Sequence, residues 1–393
     1  MTIWYTLSLV LAAVYTLLML TYYVGWRMLP VWKAPANWQP TTRVTVLIPA
    51  RNESGNIASC LHAILQGSYP SWLTEIIVLD DFSTDGTDET VLAFTRKNMA
   101  TATSIRVVRL MDVLPADAAA RANKKQAIEL GVAQATGDII VTTDADCIAG
   151  KEWLSMIVSR LEWSNKKSHP VLVTGPVVFH RERNVLQYFQ SLDFLGLMGI
   201  TGAGIYLSFQ RMGNGASLAY YRQVFRDVNG YEGNRNTASG DDMFLIQKVA
   251  AKYPRRVVFL KNAEAVVRTE AVAGWRSFIQ QRLRWGTKNA GLPEWPVRLV
   301  LLAVFLFCWS IWINILAALI SDKTRLLQII AIQLLVKAVF DLLLLREMAR
   351  FFRRTDLLRW FLPSFILHTF YIPFIGTASL YFKQYEWKGR RPK

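Results

Sequence analysis

The sequence predicts an α/β domain on a mostly parallel sheet, set between an N-terminal transmembrane helix and a C-terminal membrane region. Three observations carry that prediction. Short β-branched runs alternate with helical stretches from Arg43 to Phe179, the pattern of a parallel sheet covered by helices on both faces. Trp4 to Val24 is uncharged and long enough to cross a bilayer. Further apolar stretches of similar length follow residue 298.

Composition supports the membrane part. The chain of 393 residues has room for more than one domain. It is 52% hydrophobic, with a mean hydropathy of +0.21, high for a soluble protein. Only 19% of residues are charged, yet the formal net charge is +16. An apolar, basic chain suits anionic lipid better than nucleic acid, and the sequence carries no nucleic-acid motif. Cys60, Cys147 and Cys308 are far apart. They offer neither zinc spacing nor a disulfide framework, which fits a reducing, cytosol-facing domain. The four histidines are scattered and receive no ligand role.

Residues 1–26 form the anchor. It lacks a basic n-region and a small-x-small cleavage site, so it is read as uncleaved. Arg27, Lys33 and Arg43 put its C-terminal side in the cytoplasm. Residues 27–42, with Pro35 and Pro40, are a linker. The α/β domain spans 43–270. Its expected strands are Arg43 to Pro49, Glu75 to Leu79, Ile105 to Leu110, Ile139 to Thr143 and Val171 to Phe179. Helices are expected from Ile57 to Gln66 and from Asn123 to Ala135, the latter with Lys124 and Lys125 in its first turn. Val185 to Phe209 is apolar but broken by Gln187, Gln190, Asp193 and glycines, and reads as helices lying at the membrane surface, with a short, bent transmembrane segment as the alternative. Gly213 to Ala216 is a close-approach loop.

Residues 271–298 read as an interfacial segment, in which Trp275 to Trp285 is amphipathic. Residues 299–382 form the C-terminal membrane region, with apolar stretches Leu299 to Ile320, Leu326 to Leu345 and Phe361 to Phe382. Gln333, Lys337 and Asp341 are spaced i, i+4, i+8 and share a helix face, expected to point inward with Lys337 beside Asp341. The basic tail, 383–393, favours the cytoplasm. That makes the last apolar stretch a re-entrant hairpin bent at Pro363 or Pro373.

Candidate chemistry gathers at strand ends. Asp144-Ala145-Asp146 puts two carboxylates at the end of the fourth strand, where open α/β sheets bind ligands. Paired hard oxygens suit Mg²⁺ or Mn²⁺ carrying a diphosphate. Asp-x-Asp is also a common cap or turn tripeptide. Asp80-Asp81, Asp241-Asp242 and Gln281-Arg282-Leu283-Arg284-Trp285 complete an ordered set.

With Pro49-Ala50-Arg51-Asn52-Glu53 after the first strand, this set resembles the family-2 glycosyltransferases. That group includes cellulose, hyaluronan and poly-N-acetylglucosamine synthases and ceramide glucosyltransferases. The resemblance runs from about Val44 to Trp285. It implies a GT-A fold (Rossmann-like, mostly parallel sheet) and inverting hexosyl transfer from a nucleotide-sugar donor. It assigns Asp81 to the nucleobase and Pro49, Ala50, Arg51 and Glu53 to the nucleoside pocket. A carboxylate there selects a uracil-like N–H, hence a UDP-sugar. Asp80 and Asp85 have helix capping as the plainer role, favoured for Asp85.

By the same resemblance Lys124 helps neutralise the diphosphate, with a solvated helix face as the alternative. Asp146, assisted by Asp144, binds the metal. Inversion needs a base for the acceptor hydroxyl. The family's base ends a Glu-Asp element, where this chain has Gly240-Asp241-Asp242. Aligning Leu245 with the family's following Leu gives the base as Asp242, with Asp241 the alternative and capping the plain role for one of the two. Gln281 and Arg284 contact diphosphate or acceptor. Trp285 forms an apolar platform for the acceptor, or else an interfacial anchor.

The implied partners are a nucleotide-sugar, a lipid or glycan acceptor and membrane lipid. A processive polysaccharide synthase uses the same chemistry. About four apolar segments are few for a polymer channel, which tilts the reading to a glycolipid product. A non-catalytic relative would be expected to lose Asp146, the acidic pair or Arg284, and all are present. Lys337 and Asp341 are thin support for a transporter, and no Gly-rich Lys signature after the first strand supports a nucleotidyltransferase.

Overall fold

The computed structural model describes residues 2–114, 124–163, 169–234, 240–289, 295–320 and 324–381. The chain divides into two compact units. A sheet unit takes Pro30–His180 and Arg211–Glu270, and a helical unit takes Met1–Leu29, Arg181–Gln210 and Ala271–Tyr385.

The sheet unit is built on ten strands: β1 (Val44–Ala50), β2 (Thr74–Asp80), β3 (Ser104–Arg109), β4 (Ile139–Thr142), β5 (Ile148–Ala149), β6 (Leu172–Thr174), β7 (Val177–His180), β8 (Leu218–Tyr221), β9 (Val257–Phe259) and β10 (Val267–Glu270). Seven of them form the main sheet in the order β3-β2-β1-β4-β8-β6-β9. All its pairings are parallel except those of β8, which runs antiparallel to β4 and β6. β1 and β4 read as continuous apolar runs because both faces of a central strand are covered; Val44, Leu47, Ile48, Ile139, Ile140 and Val141 are all fully buried. From β1 the chain winds outward through β2 and β3, then returns to β4 on the other side. That reversal is a topological switch point, and it leaves a crevice at the carboxyl ends of β1 and β4.

The fifth expected strand is two strands. β6 joins the main sheet, while β7 joins a second sheet of order β5-β10-β7. Pro176 lies between them and has no N–H for a ladder, so the strand ends there. Gly175 makes the turn tight: its N–H donates to the Ser217 carbonyl at 2.7 Å, and a Cβ there would stand 2.2 Å from Ser217 Oγ.

Among the described residues the helical unit holds four helical segments long and apolar enough to cross a membrane: Thr2–Met28, Trp295–Ile320, Thr324–Phe351 and Thr355–Tyr381. Val185–Tyr206 is one unbroken helix, not several, and is not among those four. Its glycines are packing notches rather than breaks. A Cβ on Gly199 would lie 2.8 Å from Met348 Sδ, so the bare backbone lets the Thr324–Phe351 helix approach.

Asn314, Gln333 and Lys337 on the apolar helices are buried and paired. Lys337 is fully buried and lies 2.5 Å from Asp341, as the i, i+4 spacing predicts. Tyr15 also donates to Asp341. Gln333 accepts from Asn314 at 2.9 Å and donates to Ser310 at 2.8 Å.

The expected hairpin does not form. Phe361–Tyr381 is a continuous helix with Pro373 inside it. Pro373 removes one N–H and so frees the Thr369 carbonyl four residues back. Trp312 Nε1 donates to that carbonyl at 3.1 Å, so the helix passes the proline without an orphan acceptor. Pro363 sits in the first turn, where N–H groups lack helical partners anyway. The basic tail lies outside the described residues.

Candidate active site

Two loops at the carboxyl ends of β1 and β2 are stitched to each other. Asp81 N–H donates to the Ala50 carbonyl at 2.8 Å. Arg51 Nη1 donates to the Asp81 carbonyl at 2.7 Å. Asn52 Oδ1 accepts from Thr84 N–H at 2.9 Å, and Glu53 N–H donates to Thr87 Oγ1 at 2.9 Å. Asn52 and Phe82 adopt left-handed φ angles of 52° and 54°, which turn the two loops. Pro49, Ala50, Arg51, Glu53 and Asp81 are thereby gathered on one ledge, with Glu53 and Asp81 buried.

Asp80 and Asp85 differ in role. Asp85 takes N–H bonds from Thr87 at 3.1 Å and Ser54 at 3.0 Å, bracing the start of the Thr87–Lys97 helix. Desolvation raises its pKa, but these bonds and the Thr87 hydroxyl outweigh it and lower it to about 2. Asp80 closes β2 and is 2% exposed. Burial pushes its carboxyl up, and Oδ1 has no hydrogen-bond partner.

The second half of the site lies around Lys124. Its Nζ is 2.6 Å from Asp144 Oδ1 and 3.5 Å from Asp241 Oδ2. Lys124 is therefore a bridge between the Asp-x-Asp turn and the acidic pair, not a solvated helix face. Burial alone would lower its pKa, but Asp144 and Asp241 together raise it. Its neighbour Lys125 helps fix this register, with Nζ 4.9 Å from the ring centre of Phe244 on the Asp241–Lys252 helix.

Asp242 faces the same turn from a more exposed position. Its Oδ2 accepts from Gly215 N–H at 3.2 Å and its Oδ1 from Met243 N–H at 2.8 Å. Gly215 sits close beneath the cation, since a Cβ there would lie 3.0 Å from Lys124 Nζ. Asn214 Oδ1 accepts from Ala216 N–H at 2.9 Å, and Thr142 Oγ1 donates to the Gly215 carbonyl at 2.8 Å. Sequence reasoning marked Gly213 to Ala216 as a close approach. It did not pair Lys124 with Asp241, because those residues are joined only by the fold.

Asp144, Asp146 and Cys147 each place a donor atom within 4.8 Å of the others. The two carboxylates fit a hard divalent cation. Cys147 does not: burial pushes its thiol well up, so it stays protonated beneath the site. Cys60, also buried and also raised, donates to the Asp144 carbonyl at 3.6 Å.

Gln281, Arg284 and Trp285 lie in the helical unit, on the helix Trp275–Asn289. Gln281 Oε1 is buried without a hydrogen-bond partner. Trp285 packs on the guanidinium of Arg282, 4.3 Å from its ring centre.

The family model described as Glycosyl transferase family group 2 matches residues 139–375, more than half of the chain. The Glycosyl transferase family 2 model matches residues 45–195. Glycosyltransferase AglE of Haloferax volcanii is 33% identical over 118 residues, 30% of this chain and 35% of that protein. The probable glycosyltransferase YdaM of Bacillus subtilis is 24% identical over 270 residues, 67% of this chain and 58% of that protein. The matched part is thus less than two thirds of either relative. The mannosyltransferase PcManGT from Pyrobaculum calidifontis, solved in complex with GDP-Man and Mn²⁺, superposes with a TM-score of 0.59 at 20% identity, covering 97% of this chain and 99% of that one. The likeness is of fold, and the fold is GT-A.

Proposed function

The chain belongs to glycosyl transferase family group 2, and on that premise we propose that it transfers a hexose, with inversion, from a nucleotide-sugar to a membrane acceptor. The observation that carries the reading is the convergence of Asp144, Asp241 and Asp242 on Lys124 and Gly215 at the switch point of the sheet. The donor base and ribose occupy the ledge of Pro49, Ala50, Arg51, Glu53 and Asp81. Asp81 accepts from a uracil-like N–H, which favours a UDP-sugar. Asp146 and Asp144 would hold Mg²⁺ or Mn²⁺, which would supply positive charge to the departing diphosphate. Lys124 adds a second cation there.

Asp242 takes the proton of the acceptor hydroxyl as its oxygen bonds to the anomeric carbon. The bond from that carbon to the diphosphate oxygen breaks on the opposite face, so the configuration inverts. Asp242 is more exposed than Asp241 and is not the Lys124 partner, which suits it to meet an incoming hydroxyl. Gln281 and Arg284 hold diphosphate or acceptor, and Trp285 offers an apolar surface to the acceptor. Four candidate spans favour a lipid acceptor over a polymer channel.

The test uses purified full-length protein with a panel of UDP- and GDP-sugars. Released nucleoside diphosphate is measured with and without lipid acceptors. UDP release stimulated by a lipid is the expected result. Release from GDP-sugars alone sinks the uracil reading, and no release from any donor sinks the transferase reading.

We also place the sheet unit in the cytoplasm of a cell-membrane protein, following Arg27 and Lys33. Four spans then return the C-terminus to the outside. A continuous last helix thus favours an outside tail over the cytoplasmic one that its basic charge suggests. A cysteine introduced at Lys393 is expected to react with an impermeant reagent in intact cells. Labelling only after permeabilisation overturns this topology.

A further inference from the structure

One row of side chains in the helical unit grips the segment that carries Gln281 and Arg284. Asn184, Gln187, Gln190 and Asp193 are spaced three apart and follow a single ridge of the Val185–Tyr206 helix from its N-cap. Asn184 Nδ2 donates to the Ala273 carbonyl at 3.3 Å. Gln187 Nε2 donates to the Ala271 carbonyl at 2.9 Å, and Gln190 Nε2 to the Val272 carbonyl at 2.8 Å. Residues 271–273 belong to no helix or strand, so their carbonyls need such partners when buried.

One turn further along, Asp193 Oδ2 lies 3.0 Å from Arg282 Nη2, with the Arg282 side chain 1% exposed. Phe278, Trp285 and Tyr371 surround the guanidinium, with ring centres at 5.1, 4.3 and 5.9 Å. His368 Nε2 stands 3.7 Å from the other Asp193 oxygen. A long cation held in this way fixes both the rotation and the depth of its helix. Arg282 lies between Gln281 and Arg284, at a position the Gln-x-x-Arg-Trp pattern leaves open.

We propose that this row is a latch for the Trp275–Asn289 helix, and that Asp193 and Arg282 are positioning residues that aim Gln281 and Arg284. The aiming part rests on the reading that Gln281 and Arg284 act in the transfer. The latch itself does not.

The test uses full-length protein in lipid nanodiscs. Backbone hydrogen exchange over residues 275–289 is compared between wild type and Asp193→Asn. Exchange about 10-fold faster there, with the sheet unit unchanged, is expected for local release. Unchanged exchange in 275–289 overturns the latch. Turnover of Asp193→Asn should fall about 100-fold, the scale of a small misplacement of reacting groups.

In an Arg284→Ala background the same substitution should cost clearly less than in wild type, because the part of its effect that runs through Arg284 is already lost. Losses that multiply overturn the positioning role and point to general destabilisation. Wild-type turnover in Arg284→Ala removes the underlying reading and the positioning role with it, leaving exchange to judge the latch. If Asp193→Asn does not fold, Gln190→Met removes the Val272 carbonyl contact together with a longer one to the Leu186 carbonyl of its own helix. It is expected to raise exchange over 275–289 in the same direction, and no change overturns the latch.

Discussion

Replacing Asp242 by asparagine is expected to lower turnover by about 10²–10⁴-fold, the usual contribution of a general base, with donor affinity near wild type. Asparagine keeps the shape, and its single amide oxygen can still accept one of the two N–H bonds that Gly215 and Met243 give the carboxylate. It cannot take a proton at neutral pH. Asp241→Asn should behave differently. Asp241 faces Lys124, so its loss unbalances the cation shared with Asp144. The expected signature is a change in donor KM with a smaller fall in kcat. Donor binding by calorimetry and single-turnover transfer separate the two. If Asp241→Asn loses transfer and Asp242→Asn stays near normal, the two roles are exchanged.

Much of the sheet unit was legible because its central strands are short apolar runs between turn signals. β1, β2 and β4 stand within a residue or two of their expected bounds. The site was legible in pieces, since Asp81, Asp144, Asp146, Asp241 and Asp242 sit at strand or helix ends whose sequences are distinctive. Their grouping was not. Lys124 touches Asp241 across a separation of more than a hundred residues, and no local pattern encodes that contact. β8 was missed because Leu218–Tyr221 carries two tyrosines and follows a glycine-rich loop, leaving too short a run to show its period. The hairpin expectation failed for a related reason. A proline in an apolar stretch signals a break, and only the fold supplies Trp312 to repair it. Gln187, Gln190 and Asp193 looked like interruptions of a membrane-surface helix. They are the edge that meets Ala271, Val272 and Arg282, a distinction that rests on what packs beside them.

Asp146→Asn is expected to lose about 10³-fold in turnover at saturating donor. A divalent ion on a departing diphosphate supplies several kcal/mol to the transition state, and about 4 kcal/mol corresponds to 10³-fold. An amide oxygen still fits the position but brings no negative charge to hold the ion. Asp144 offers no full replacement, because Lys124 at 2.6 Å competes for its oxygen. Cys147 offers none either, since sulfur is a soft donor and Mg²⁺ and Mn²⁺ prefer oxygen. The variant should therefore need much more Mn²⁺ for the same rate, and the metal titration curve should move to higher concentration. Wild-type protein stripped with EDTA should fall to a similar low rate and recover on adding Mg²⁺ or Mn²⁺. Full activity of the EDTA-treated wild type removes the metal from the reaction. An Asp146→Asn rate that is low but insensitive to added metal assigns Asp146 to donor binding instead, and leaves Lys124 as the main counter-charge of the diphosphate.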